Sequence, residues 1–242
     1  VGVLLSRGES HNPGPGGGAP DDGEAELWDS MVCHCADTLC WLHLAWCADV
    51  QLSRYELLSG LCQFHQLRGV WLMELSLSGG DSGRDGEEAL PLPLGTSLLP
   101  ALRTLNVSGC PQLLSWFRPH FPFLVQAHWL VRLVLCDMDL GTADAQSLAS
   151  HLPDHNTVRV LNMAGNPRVG VSAGRTLLRA CLQKGGVDTL ILEGCERPGE
   201  SWDHDVTTAT SRWHGCAIVS SQEYSCSRDI GQWCGHQEWW WA

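Results

Sequence analysis

Apolar residues recur along the middle of this chain in one phrase, Leu-x-x-Leu-x-Leu, at a near-constant period. The phrase occurs at Leu39, Leu42 and Leu44, then at Leu72, Leu75 and Leu77, and at Leu102, Leu105 and Val107. It returns at Leu130, Leu133 and Leu135, at Val158, Leu161 and Met163, and at Val187, Leu190 and Leu192. With the middle residue as the mark, the positions are 42, 75, 105, 133, 161 and 190, which are steps of 33, 30, 28, 28 and 29 residues. Alternating apolar residues over so short a span predict a strand with one buried face. One copy cannot bury that face alone, whereas stacked copies bury a continuous core.

The segments between the phrases predict helices. Ala145, Leu148, Ala149 and Leu152 fall at helical spacing with Asp144 near the start, and Leu177, Leu178 and Cys181 do the same. Leu124, Leu152 and Cys181 each precede the next strand phrase by six residues, a join of constant length. A residue past the strand is Cys or Asn in four copies, namely Cys47, Cys110, Asn166 and Cys195. Such a side chain is expected to turn inward and satisfy backbone groups of the turn. In the second copy Gly80 stands there instead, and a Gly/Asp/Glu/Pro-rich insertion follows over 79–97.

The period and the phrase resemble leucine-rich repeats, of the long ribonuclease-inhibitor-like class, over roughly residues 36–197. The motifs that carry the resemblance are LCWLHLAWCADV, LRTLNVSGCPQL, LVRLVLCDMDL, VRVLNMAGNPRV and VDTLILEGCE. It implies an α/β solenoid, a horseshoe arc of about six strand–helix repeats with a parallel sheet on the concave side. Residues 31–197 form this unit in that reading. Residues 1–30 read as a disordered Gly/Pro-rich acidic tail, with too little apolar surface to offset chain entropy. Residues 198–242 read as a Trp/Cys-rich extension, part cap and part disordered.

The resemblance implies a binding module or scaffold, and the side chains between the leucines form its expected contact surface. They are Trp41, His43 and Trp46, then Glu74, Arg103 and Asn106, Arg132, Arg159 and Asn162. Exposed aromatics and arginines favour protein contact. Arg103, Arg132 and Arg159 are expected to form a basic row suited to a carboxylate-rich partner. Trp41 and Trp46 have an alternative place, packed under an N-terminal cap. Relatives of this repeat class include sensor regions of innate immune receptors and a Ran GTPase-activating protein. A ligand-sensing fragment and a regulator of a small GTPase are therefore alternatives to a plain interaction module.

Charge narrows the partners. The 242 residues carry a formal net charge of −12, which repels nucleic acid and anionic membrane. No run of about 18 apolar residues offers a membrane span. The N-terminal Val-Gly-Val-Leu-Leu stretch is too short for a signal peptide. Of twelve cysteines, Cys47, Cys110 and Cys195 recur at one repeat position, which marks core thiols and a reducing, cytoplasmic compartment.

Candidate chemistry is sparse. Gly80-Asp81-Ser82-Gly83 is similar to the nucleophile segment of trypsin-like serine proteases, but Arg84 stands where that family has Gly, and the preceding residues are tail and repeats. Cys33-His34-Cys35 with Cys40 lacks the usual zinc-knuckle spacing, as do Cys216, Cys226, Cys234 and His236 with His204 and His214. Asn106-Val107-Ser108 is a glycosylation sequon placed on a predicted strand. Gly14 to Gly18 lacks the Lys-Ser or Lys-Thr of a phosphate loop. The expectation is a protein without catalytic residues, cofactor or metal.

Overall fold

A computed structural model describes residues 2–6, 23–45, 54–73, 75, 101–126, 129–152, 157–184, 187–196, 202 and 216–218. Its strands are β1 (Gly2–Ser6), β2 (Trp41–Ala45), β3 (Gly69–Met73), β4 (Thr104–Asn106), β5 (Arg132–Val134), β6 (Val160–Asn162), β7 (Thr189–Ile191) and β8 (Cys216–Ile218). They form one eight-stranded sheet in chain order, and every neighbouring pair is parallel. Parallel neighbours require a crossover, and among the described residues helices lie in the crossovers from β1 to β2, β2 to β3, β4 to β5, β5 to β6 and β6 to β7. The helices are α1 (Gly23–Cys35), α2 (Arg54–Leu61), α3 (Leu114–Phe117), α4 (Phe121–Gln126), α5 (Thr142–His151) and α6 (Gly170–Lys184). The fold is therefore α/β, with α4, α5 and α6 packed side by side and α1 against α2.

One residue of each strand marks the register: Val3, Leu42, Val70, Leu105, Leu133, Leu161, Leu190 and Ala217 pair in succession across the sheet. Leu42, Val70, Leu133, Leu161 and Leu190 are fully buried. A fully buried aliphatic side chain contributes about 2 kcal/mol. The same core takes in Leu39, Leu102, Leu130, Val158 and Val187 from just before the strands. It also takes in Ala145, Leu148, Ala149, Leu177, Leu178 and Cys181 from the helices, at the helical positions the spacing predicts.

The second copy of the phrase is corrected. Val70, not Leu75, sits in the row, so the step from Leu42 is 28 residues and the step on to Leu105 is 35. The phrase in use is Leu67-Arg68-Gly69-Val70-Trp71-Leu72, and the 79–97 insertion lies within the long step. Leu75 then occupies the Cys/Asn position, and Gly80 lies outside the described residues.

Of the side chains expected to turn inward, Cys47 lies outside the described residues, and Cys110, Asn166 and Cys195 do bond backbone groups of the turns. Asn166, fully buried, accepts at Oδ1 from the Met138 and Leu140 N–H groups, each at 3.0 Å. Its Nδ2 donates to the carbonyls of Leu135 at 2.9 Å, Met163 at 2.7 Å and Ala164 at 3.1 Å. The Cys195 thiol donates to the Met163 carbonyl at 3.0 Å, and the Cys110 thiol to that of Leu72 at 3.5 Å. Leu72, Leu135 and Met163 are equivalent residues of successive strands, so each bond ties one turn to the strand before it. Met138 and Leu75 fill the same position as buried apolar side chains.

The residue one earlier closes the turn. Gly109, Asp137, Gly165 and Gly194 there have φ of 69, 51, 71 and 68°. This left-handed region favours glycine. Gly165 is required twice over, because a Cβ would strike the Asp137 carboxylate.

The chain ends also depart from expectation. Within residues 1–30, expected as a disordered tail, 2–6 form β1 and α1 begins at Gly23; residues 7–22 lie outside the described residues. Val3 and Leu5 pair in register with Leu42 and Leu44. Trp28 of α1 is 4% exposed and packs edge-on to Phe64 at 6.1 Å. In the C-terminal extension, β8 adds a strand, and Trp202 lies over Gly174 of α6 against the core.

Candidate functional site

Two residues of β2 and one of β3 make an aromatic cluster on the sheet. His43 pairs in register with Trp71, and Trp41 with Gly69. The Trp41 and Trp71 ring centroids lie 5.5 Å apart at 32°, and the His43 ring is 6.2 Å from Trp71. Gly69 makes this possible, because any Cβ there would occupy the space of both indoles. All three side chains are half-buried. His43 Nε2 is buried and has no hydrogen-bond partner among the described residues, and burial lowers the His43 pKa below its ordinary value. The imidazole is therefore neutral at neutral pH, a polar ring held against the Trp71 indole.

Of the expected contact residues, Trp41 and His43 lie in this cluster, while Trp46 and Glu74 lie outside the described residues. Asn106 is corrected: it is 7% exposed, and its Oδ1 accepts from the Ser108 N–H at 3.0 Å and the Ser108 hydroxyl at 2.6 Å. Those bonds spend its acceptor inside its own turn, and its burial is also at odds with glycosylation of the sequon. Asn162 does the same less completely: it is half-buried, and its Oδ1 accepts from the Ala164 N–H at 3.0 Å.

The expected basic row is corrected as well. Arg103 and Arg159 precede β4 and β6 at one shared position, which in the unit between them is Val131. Arg132 sits one residue further on, in β5, paired with Thr104 and Val160. Arg68, absent from the expected set, precedes β3 at the same position as Arg103 and Arg159. The backbone links this row directly: Arg103 N–H donates to the Arg68 carbonyl at 2.6 Å, Val131 N–H to that of Arg103 at 2.8 Å, and Arg159 N–H to that of Val131 at 2.8 Å. Arg103 Nη1 donates to the Trp129 carbonyl at 3.1 Å, and Arg159 lies 3.6 Å from Asp188.

Sequence reasoning missed Trp71 and Arg68 for one reason, the five-residue misplacement of the second copy. A signal was present. Placing the mark on Val70 keeps the 28-residue step from Leu42, and both residues then fall at contact positions.

The candidate chemical sites carry less. Cys33 is exposed and Cys35 and Cys40 are half-buried; among the described residues no three His, Cys, Asp or Glu side chains gather as a metal site. Gly80 to Gly83, Gly14 to Gly18, His204, His214, Cys226, Cys234 and His236 lie outside the described residues. Among the described residues no helix is long and apolar enough to cross a membrane. No protein-family model and no curated protein matches this chain.

Proposed function

We propose that this chain is a leucine-rich-repeat solenoid that serves as a non-catalytic protein–protein interaction module, binding a partner protein through the sheet face that carries Trp41, His43 and Trp71. The observation that carries the reading is the Trp41–Trp71 pair, half-buried and held at 5.5 Å on a rigid parallel sheet. Tryptophans so fixed lose little side-chain freedom on binding and offer large apolar faces to a partner. The thiols of Cys110, Cys181 and Cys195, buried as separate core side chains, support a reducing, cytoplasmic setting.

The test is site-specific photo-crosslinking of the full chain, with a benzophenone amino acid at position 71 or at exposed Ser172 on α6. The expected result is a protein adduct from position 71 that is absent from position 172 and lost on Trp41→Ala. An adduct from position 172 alone, or none from 71 in folded protein, overturns the reading.

A further inference from the structure

We infer that the rim where the strands begin is a docking site for an acidic peptide segment of the partner, held by Arg68, Arg103 and Arg159 with Arg132 beside them. The inference rests on the proposed interaction role and names the partner's chemistry. Four successive strands, β3 to β6, each bring one arginine to this rim, at the strand-start position or one residue past it. Neighbouring parallel strands lie about 4.8 Å apart, so the backbone positions of the four arginines span about 15 Å across the sheet. Arg68, Arg103 and Arg159 are exposed, and Arg132 is half-buried.

This clustering is not a by-product of composition, because the chain holds 15 Lys and Arg against 27 Asp and Glu. Asp188, at the same position before β7, closes the row next to Arg159. Among the described residues at this strand-start position, three arginines stand against that one carboxylate. Charges farther off than about 8 Å are largely screened at physiological ionic strength. Arginine is also the side chain that holds carboxylates in paired, planar hydrogen bonds. The bond from Arg103 to the Trp129 carbonyl uses one of its five donors and anchors the group toward the rim. The shared backbone ladder fixes the spacing of the row before any partner arrives.

The test uses the full chain and a fluorescent oligoglutamate peptide, followed by anisotropy at low and at physiological ionic strength. The expected result is saturable binding that Arg68→Glu combined with Arg103→Glu weakens by about tenfold or more. Arg179→Glu, an exposed position on α6, is expected to leave the affinity within about twofold. The milder Arg68→Gln, checked for native circular dichroism, separates lost charge from misfolding and is expected to weaken binding in the same direction. Absence of binding, or equal weakening by Arg179→Glu, overturns the inference. So does an oligonucleotide of equal charge that binds as tightly, since the rim would then be a general polyanion surface. Failure here with the position-71 adduct retained removes the acidic segment and leaves the interaction role standing.

Discussion

The indoles of Trp41 and Trp71 meet 5.5 Å apart above Gly69, the residue that pairs with Trp41 across the β2–β3 ladder. The absence of a side chain at 69 is what lets two large rings share one place on the sheet. Gly69→Ala is therefore expected to force both rings to shift and to destabilise the protein by about 1–3 kcal/mol. Urea unfolding followed by tryptophan fluorescence, with near-ultraviolet circular dichroism of the native state, measures both effects. Unchanged stability and an unchanged aromatic signal would show that the rings are not packed over this glycine.

His43 makes the same cluster sensitive to acid. Its pKa is lowered by burial, so the unfolded chain binds a proton below about pH 6.5 that the folded chain resists. Its contribution is present above that value and is lost as pH falls from there toward the lowered folded pKa. His43→Gln is expected to flatten the dependence of unfolding free energy on pH in that window. His120, whose pKa burial also lowers, remains as a background and is removed in a parallel variant. An identical pH slope with and without His43 would count against this account.

Asn166 satisfies five backbone groups at once, three carbonyls and two N–H groups. Asn166→Leu takes this partner from the Met138 and Leu140 N–H groups and the Leu135 carbonyl, while the Met163 and Ala164 carbonyls keep the Cys195 thiol and the Asp137 N–H, and is expected to cost about 3–5 kcal/mol. Asn166→Cys is expected to cost less, because Cys110 and Cys195 fill the equivalent place and bond the carbonyl of the strand before. Chemical denaturation of the two variants gives the comparison. Equal losses would mean that side-chain volume, not hydrogen bonding, decides this position.

Asp144 anchors the start of α5. Its carboxylate accepts from the Gly141 N–H at 2.9 Å and from Arg118 Nε at 2.6 Å, with its side chain 4% exposed. Asp144→Ala removes the helix cap and strands the guanidinium, an expected loss of about 2 kcal/mol. Arg118→Met is expected to cost less than 1 kcal/mol or so, since that side chain is 54% exposed and water screens the pair. A larger loss from the arginine side of the pair, measured by thermal unfolding, would reverse this assignment.

The buried thiols predict alkaline lability. Burial pushes Cys181 and Cys195 up to about 12, from an ordinary value of 9.0. Above that ordinary value the unfolded chain releases protons that the folded chain keeps, so stability falls as pH rises from about 9 toward 12, by about 1.4 kcal/mol per pH unit for each thiol. Native protein is expected to alkylate at exposed Cys33 while Cys110, Cys181 and Cys195 stay protected. Mass spectrometry of peptides after brief iodoacetamide treatment reads this directly, and rapid labelling of Cys195 in folded protein would contradict it.

Much of the architecture was legible in the chain. A strand phrase returning every 28 or 29 residues at Leu105, Leu133, Leu161 and Leu190 names its own register, because side-chain alternation along a strand allows only one face to be buried at a time. The inward Cys110, Asn166 and Cys195 were legible for the same reason. Between Leu61 and Leu77, however, leucines satisfy the phrase at two offsets, and composition alone cannot choose between them. The choice fell to packing: Val70 enters the shared core beside Leu42 and Leu105, and Gly69 clears room for Trp41.

The sequence by itself determined the period and the parity of the strands at Leu42, Leu105, Leu133, Leu161 and Leu190 and the residues there that can face the core, since those follow from local alternation and helical spacing. Only the tertiary structure decided which side chains become neighbours across strands: Trp41 with Trp71, and Arg68 with Arg103 rather than Arg132 with Arg103. Contacts between strands depend on the length of each intervening loop, and a single insertion after β3 shifts that alignment without changing any local pattern.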